Sequence, residues 1–515
     1  MTEKKSESIG LEEVEKTIVE HVNIRGRTTY PPDLTEEEIN FFECFTEEQR
    51  KKVIWKIDVR LVPMLGLLYL LANIDRANIG NAKIEGLTDD LGLSSNQYNI
   101  CLSIFFIPYC LLEVPSNIAL KWFKKPSNYI AILAVSWSVV LTLTGIVQSY
   151  GGLMAARFFL GVTEAGFFPG ALYIISTWYD RNEMGTRYSI FYMAAALAGA
   201  FSGLLAYLIV KMDGVAGIAG WRWIFIIEGL ASIAVGLSTP FLLLDTPENS
   251  KILTNDERRY LILRKIIQDG GREIQSKGTK TSWPVLRSVV LDWKLYLAAI
   301  IYWTNTGTNY GVKFTMPQII KNMGYSSANA QLLTVPPYIL GCISSYIASR
   351  FSDRTTWRMP FIVVSQLVVL TGFAMLFGFA PNLNNRIAES YTAIFICCVG
   401  FYPITPNVAA WMSNNLAGPA KRASGIGFML TMANTAGIIG SFMYKDEEKP
   451  RYPTGYGTSL GLTVAGMLAA LLLEFGLWRC NKRDGKMSEE EVRAIYTEQE
   501  LADMGDNSPL FKYTL

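Results

Sequence analysis

Residues 129–147 read YIAILAVSWSVVLTLTGIV, a run with no charged side chain. A helix needs about 20 mostly apolar residues to cross a hydrocarbon core roughly 30 Å thick, so this run is long enough to span a bilayer. Blocks of the same kind lie on both sides of it. Upstream are 59–79 and 98–118; downstream are 153–178, 189–211, 221–244, 293–316, 332–349, 359–379, 391–412, 424–444 and 457–478. The chain has 515 residues, half of them hydrophobic, and a mean hydropathy of +0.22. Length alone suggests a few soluble domains, but apolar residues gathered in span-length blocks exclude that reading. The expectation is an all-α membrane protein with twelve transmembrane helices in two six-helix halves.

The polar stretches between blocks set the organisation: a tail at 1–57, one half at 58–244, a linker at 245–292, a second half at 293–479 and a tail at 480–515. The first tail has no apolar core of a signal peptide, so no cleavage is expected. Loop charges orient the chain, because Lys and Arg favour the cytoplasmic side. With both termini cytoplasmic, the inner loops receive Lys121, Lys124, Lys125, Arg181, Arg187, Arg350, Arg354, Arg358, Lys421 and Arg422. The outer loops receive Lys83, Lys211, Lys321 and Arg386; the loop with Lys445, Lys449 and Arg451 runs against the trend. Six spans, a linker and six spans is the plan of a duplicated transporter. Repetition in the letters is faint, ALKWFKK at 119–125 against ASRFSDR at 348–354. In the linker, Thr254 and Glu257 carry the spacing of a capping box at a helix start. Leu286, Val289 and Val290 suit a segment lying on the membrane surface, and the linker reads as a tie between the halves.

Several function classes drop out on composition. A net charge of +2 lacks the concentrated basic surface that nucleic acid requires. The seven cysteines, Cys44, Cys101, Cys110, Cys342, Cys397, Cys398 and Cys480, have no metal-ligand spacing, and five sit in apolar blocks as small hydrophobes. The single histidine, His21, lies in the polar tail. A metal site or a multi-span acyltransferase would therefore lack its usual ligand or base, and any membrane proton relay must use carboxylates. No cofactor and no metal are expected.

The positive signal is charge inside apolar spans. The first span ends NIDRANIGN, placing Asp75 and Arg76 side by side, and the fourth holds Arg157 and Glu164 in RFFLGVTEAGFFPG. Seven residues of helix return to within about 20° of one face, roughly 10 Å along the axis, so Arg157 and Glu164 look into a common space. Four unpaired charges at mid-membrane would cost roughly 10–14 kcal/mol on insertion scales, so they must pair or face a wet cavity. Arginine matches a carboxylate bidentately, which makes Arg76 and Arg157 candidates to hold an anion. Asp75 and Glu164 are candidates to carry a coupling proton, since burial and a nearby Arg pull a carboxyl pKa in opposite directions. The bland alternative is a set of structural ion pairs, or Asp75 and Arg76 at the outer interface. Asn305 and Asn309 share a face of the seventh span, while Lys313 reads as snorkelling outward. Asn407, Asn414 and Asn434 suit either carboxylate binding or helix packing. Glu113 and Glu228 read as gating or structural groups.

These segments resemble the anion:cation symporter family of the major facilitator superfamily, and within it the fungal allantoate-permease-like branch. The resemblance runs from about Lys56 to the C-terminus. It rests on NIDRANIGNA, RFFLGVTEAGFFPG, GWRWIFIIEG and LLLDTPENSKILTNDER, with looser support from AAWMSNNLAGPAKRA and DEEKPRY. The ending LADMGDNSPLFKYTL is closest to nicotinate-permease-like members. The resemblance implies alternating access around a central cavity, with the family's Asp-Arg pair on Asp75 and Arg76, its fourth-span Arg and Glu on Arg157 and Glu164, and a cavity asparagine on Asn434. The superfamily's loop signature survives as Asp353 and Arg354 but lacks its Asp after Leu120. The expected function is proton-coupled uptake of a small organic monocarboxylate, nicotinate first. Allantoate, pantothenate, a dicarboxylate, or a nutrient sensor that no longer transports stand as alternatives. The expected partners are the anion, H⁺ and a lipid bilayer, in a plasma-membrane monomer.

Overall fold

A computed structural model describes residues 30, 34–120, 122–179, 181–250, 252–269, 283–355, 357–381, 386–417, 419–497, 500–501 and 504–515. His21 and Lys121 lie outside the described residues. Among these residues, eleven helices are long and apolar enough to cross a membrane. The first half comprises Glu47–Ile84, Ser95–Ser103 with Phe106–Leu120, Pro126–Thr144, Tyr150–Glu164 with Phe167–Trp178, Arg181–Ile209 and Gly220–Leu242. The second comprises Trp293–Asn322, Ser327–Leu332 with Val335–Thr355, Met359–Phe379, Ile387–Asn415, Pro419–Asn434 with Ala436–Met443, and Pro453–Asp484. We number these helices one to twelve. The seventh has 30 residues, about 45 Å of helix and ample to span, but Asn305, Asn309, Lys313, Gln318 and Lys321 make it the polar one of the set.

The duplication that the letters barely carry is plain in the backbone. Helix one gives way to Gly86 at φ 94° and helix seven to Gly324 at φ 99°, left-handed turns that glycine adopts without steric cost. A serine then caps the next helix in each half, Ser94 accepting from Gln97 N–H and Ser326 from Asn329 N–H. Both following helices are short and interrupted before a longer segment continues. One local programme is used twice.

The bundle inverts the soluble pattern. Phe241 is 87% exposed and Leu111 70%, whereas Asp75, Arg157 and Glu164 are buried at 0–1%. An apolar surface around a polar interior is what lipid demands, since a charge facing the hydrocarbon is costly. At the end of the bundle where helix twelve finishes, each half is clamped by its own polar contacts. Arg187 of helix five grips both Asp58 oxygens of helix one at 3.1 and 2.7 Å. Asp245 accepts from Ser127 N–H at 3.0 Å and its carbonyl from Trp178 Nε1 at 3.2 Å, tying helices three, four and six.

Two compact units exist in the chain, residues 1–55 with 247–280, and residues 56–246 with 281–515. Both six-helix halves belong to the second. In the first, the linker helix Asn255–Asp269 opens on the expected box, with Thr254 N–H donating to Glu257 at 2.9 Å and Glu257 N–H to Thr254 Oγ1 at 3.3 Å. Its Tyr260 stacks on Phe42 and Phe45 of the N-terminal segment, so the linker packs on the tail rather than serving only as a tie.

The C-terminal segment folds back onto the second half. Trp411 Nε1 and Asn415 Nδ2 donate to the Thr514 carbonyl at 2.9 Å each, and Thr514 N–H returns a bond to Asn415 Oδ1 at 2.8 Å. Asp506 is buried between Lys294, which it contacts directly, and Lys421 at 2.8 Å. Burial works against its ionisation, but the two ammonium groups outweigh that and hold the carboxyl below its ordinary value. A depressed carboxyl stabilises the fold above its unfolded-state pKa and loses that contribution as pH falls through its folded value. Asp506→Ala should therefore lower stability by about 3 kcal/mol at neutral pH, by leaving Lys294 and Lys421 with Asp292 as their one remaining ion-pair partner among the described residues. Thermal unfolding of the detergent-solubilised protein should show the gap between wild type and variant closing in acid.

Candidate functional site

Helix one presents two different faces to two different environments. Tyr69, Asn73 and Arg76 recur at i, i+4 and i+7 and face a central cavity of about 60 Å³. Asp75 is one residue, and so 100° of helix, away from Arg76. Its carboxylate turns into the first half, where Trp137, Ser232 and Glu228 face it. Asp75, the acid next to Arg76 in the chain, is thus not part of the cavity lining.

Arg76 is the centre of the site. Its Nε and Nη2 contact Glu164 Oε1 of helix four at 2.6 and 2.5 Å, and its Nη1 donates to Tyr310 OH of helix seven at 3.0 Å. Its guanidinium lies 4.6 Å from the Tyr109 ring centre and 5.1 Å from that of Phe105. The three connections hold the cation at the seam between the halves.

Helix seven supplies the opposite wall. Tyr302, Asn305, Thr306, Asn309, Tyr310 and Lys313 line the cavity at i, i+3, i+4, i+7, i+8 and i+11, a single helical face. Lys313 does not snorkel outward: it is buried and donates to the Asn73 carbonyl and Oδ1 at 3.3 Å each. The polarity that sets this helix apart is therefore the polarity of the cavity wall. Tyr109, Phe168, Tyr192, Ala195, Tyr402, Thr405, Leu430 and Asn434 complete the lining. Two of the described lining residues are basic, none is acidic, and seven are aromatic.

The other expected site residues fall around this centre. Asn309 and Asn434 are in the lining. Arg157 stands outside it, donating to the Cys101 carbonyl at 3.4 Å with its guanidinium 5.4 Å from the Phe105 ring. Phe105 thus contacts both arginines, and no Arg157–Glu164 ion pair forms among the described residues. Asn414 is exposed at the end of helix ten, away from the cavity; its neighbour Asn415 turns inward to hold the C-terminal segment. Asn407 bonds to the Pro403 carbonyl at 2.8 Å within its own helix. Glu113 of helix two accepts from Thr431 of helix eleven at 3.1 Å, a bond between the halves. Glu228 accepts from Asn78 inside the first half. Asp353 pairs with Arg358 at 2.6 Å within the second half, and Arg354 is exposed.

At the end opposite the C-terminal segment the two halves are fastened. Lys83 pairs with Asp446 at 2.7 Å, Lys321 and Ser327 donate to the Ile84 carbonyl at 3.0 and 3.1 Å, and Gln331 donates to Glu85 at 3.1 Å. Burial disfavours charge on Asp446, yet Lys83 and Lys449 prevail and hold its carboxyl low. The basic loop that runs against the charge trend thus contains a residue of this fastening. Helices one and seven also touch here: a Cβ on Gly80 would stand 2.9 Å from the Phe314 carbonyl oxygen.

A bundle of this kind, two six-helix halves with charged groups around a central cavity, defines a membrane transporter. The sequence matches the Major Facilitator Superfamily over residues 65–441, and the chain belongs to that family. It is 37% identical over 480 residues to the MFS-type transporter cnsO of Penicillium expansum, covering 92% of each chain. It is 31% identical over 475 residues to the major facilitator-type transporter hxnP of Emericella nidulans, covering 91% of this chain and 94% of the other. The fold is similar to that of the proton:xylose symporter XylE, at a TM-score of 0.64 and 13% identity over 80% of this chain and 95% of that one. These relatives are named as transporters, not enzymes.

Transporters of this fold expose the cavity by parting one end of the halves, and the Gly80 contact makes that step testable. Gly80→Val should wedge helices one and seven apart at the fastened end. A cysteine placed at Asn309, with the native thiols replaced, should then react several-fold faster with an impermeant thiol reagent applied from that end. An unchanged rate would show that the contact does not hold the cavity shut.

Proposed function

We propose that this chain imports a small organic anion together with a proton, and that a nicotinate-like aromatic monocarboxylate is the substrate. The observation that carries this reading is Arg76, a cation at the seam of both halves in a cavity whose described lining has a second base, no acid and seven aromatic rings. A flat ring carrying one carboxylate suits such a lining: the rings offer stacking faces, and the guanidinium matches the carboxylate. The resemblance to the anion:cation symporter family supports the reading, since it implies that family's Asp-Arg pair at Asp75 and Arg76 and its Arg and Glu at Arg157 and Glu164.

Competition for Arg76 provides the coupling. In the unloaded site Glu164 engages the guanidinium through Oε1, while its other oxygen, Oε2, is buried without a partner. An incoming carboxylate that takes Arg76 leaves Glu164 without its counter-charge, and a buried carboxylate in that position favours protonation. Anion and proton are then held together. When the anion departs, Arg76 recaptures Glu164 and the proton is released. Lys313 and Asn309 across the cavity let the second half sense the same anion, and Arg157, behind Phe105, supports the field around Glu164. We place both termini in the cytoplasm on loop charge, and take a plasma-membrane monomer from the family resemblance; the fastened end is then the outer one.

Arg76→Ala should weaken uptake of radiolabelled nicotinate by roughly 30- to 150-fold, the effect of losing about 2–3 kcal/mol of charge-paired binding. Uptake is to be normalised to the amount of protein in the membrane, and undiminished transport by this variant would end the proposal. Glu164→Gln should retain nicotinate counterflow at equal pH but lose accumulation driven by an imposed pH gradient. A Gln variant that still concentrates nicotinate with the gradient would remove Glu164 from the coupling step.

A further inference from the structure

Behind the cavity wall lies a second polar chamber that the transport scheme above does not use. Asp75 of helix one and Glu228 of helix six are both buried in the first half, at 0% and 5% exposure. Neither forms an ion pair with a Lys or Arg among the described residues; the basic neighbour Arg76 is spent on Glu164. Asp75 and Asn78 share a face of helix one at i, i+3, and Glu228 and Ser232 share a face of helix six at i, i+4. The two faces meet, with Asn78 Nδ2 donating to Glu228 Oε2.

A directional chain sets the orientation of that amide. Asn81 Nδ2 donates to Ser202 Oγ at 2.8 Å, Ser202 donates to Asn78 Oδ1 at 3.2 Å, and Asn78 Nδ2 is left to point at Glu228. Trp137 Nε1 and Ser232 Oγ face the Asp75 carboxylate, yet these two atoms, both Asp75 oxygens and Glu228 Oε1 are buried without closing a hydrogen bond. The chamber therefore combines two carboxylates with several unused polar atoms.

We infer that Asp75 and Glu228 form a carboxylate pair that binds one proton between them, in a compartment of the first half separate from the anion cavity. Two buried carboxylates on helix faces joined by the Asn78–Glu228 bond, neither ion-paired with Lys or Arg among the described residues, do not both stay ionised in a low-dielectric interior. The surrounding groups decide what neutralises them. Asn78 Nδ2 and Trp137 Nε1 present N–H donors, whereas a metal ion needs a cage of lone pairs, so the occupant is a proton rather than Na⁺. The step is simple in its balance: hydronium gives up a proton, one carboxylate oxygen gains an O–H bond, water is released, and nothing is oxidised. Glu164 is the other acid that faces Asp75, but it is engaged by Arg76. Because Asp75 and Arg76 are adjacent on one helix, rotation or displacement of helix one moves proton site and anion site together.

The inference rests on the reading of Asp75 as a proton carrier, and Trp137 allows it to be tested without any transport assay. The indole N–H of Trp137, assigned with Trp137→Phe, is to be followed by nitrogen-15 NMR of the purified full chain in nanodiscs across a pH series. In the wild type it should titrate in one step. Glu228→Gln should move the midpoint down by about one pH unit or more, because removing a like charge eases ionisation of Asp75. Glu228→Asp should largely restore the midpoint and Asp75→Asn should abolish the step, and replacing sodium by choline should change nothing. A midpoint unmoved by Glu228→Gln, or a signal that follows sodium, would overturn the pair. Nicotinate uptake that ignores the pH gradient in the wild type would instead sink the coupled-transport reading and leave this titration standing.

Discussion

A guanidinium group buried at the seam between two six-helix halves must be satisfied on every side, and the contacts that satisfy Arg76 organise the centre of this protein. Glu164 neutralises it, Tyr310 takes a third N–H, and Tyr109 and Phe105 offer π-faces. A buried ion pair stabilises little in itself, because desolvation offsets the attraction, but breaking it by removing one partner is costly. That asymmetry ties Arg76 and Glu164 to each other: either one left alone would be a buried charge without its counter-charge.

The same residue sets the division of labour along helix one. With Arg76 turned to the cavity, Asn73 and Tyr69 follow it, and Asp75 and Asn78 are carried to the opposite side toward helix six. A helix cannot aim consecutive side chains in one direction. Two acids adjacent to the arginine, one in sequence and one in space, thus lie on different sides of it: Glu164 is paired with its guanidinium and Asp75 is turned toward helix six. Helix seven answers with a single polar face, and this is why it is the least lipid-like of the twelve.

The halves are fastened at one end by Lys83 with Asp446 and by bonds from Lys321 and Ser327 to the Ile84 carbonyl, and further in by Arg76 with Tyr310, Lys313 with Asn73 and Thr431 with Glu113. Such contacts are exchangeable for water once the end opens, so they restrain the halves without locking them. The clamps at the other end, Arg187 on Asp58 and the buried Asp506 between two lysines, run within one half each. Each half is thereby braced by contacts of its own, apart from those that cross the seam.

Sequence alone determined the membrane class and the number of spans, and it picked out the charged residues that lie inside them. These follow from hydrocarbon thickness and from the cost of charge in lipid, both legible in single letters. It also carried the linker's capping box, a purely local pattern. What only the tertiary structure decided is where each side chain points. Seven-residue spacing put Arg157 and Glu164 on one face, yet Phe105 lies against Arg157 and Arg76 takes Glu164. Lys313 is long enough to reach either water or the cavity, and only the packing of helix seven against helix one selects the cavity. Asn414 and Asn415 are identical letters, and the turn between them sends one outward and the other to the C-terminal segment. Span and charge are properties of a residue and its neighbours in the chain, whereas pairing depends on which helices meet, and that is set by the packing of all twelve.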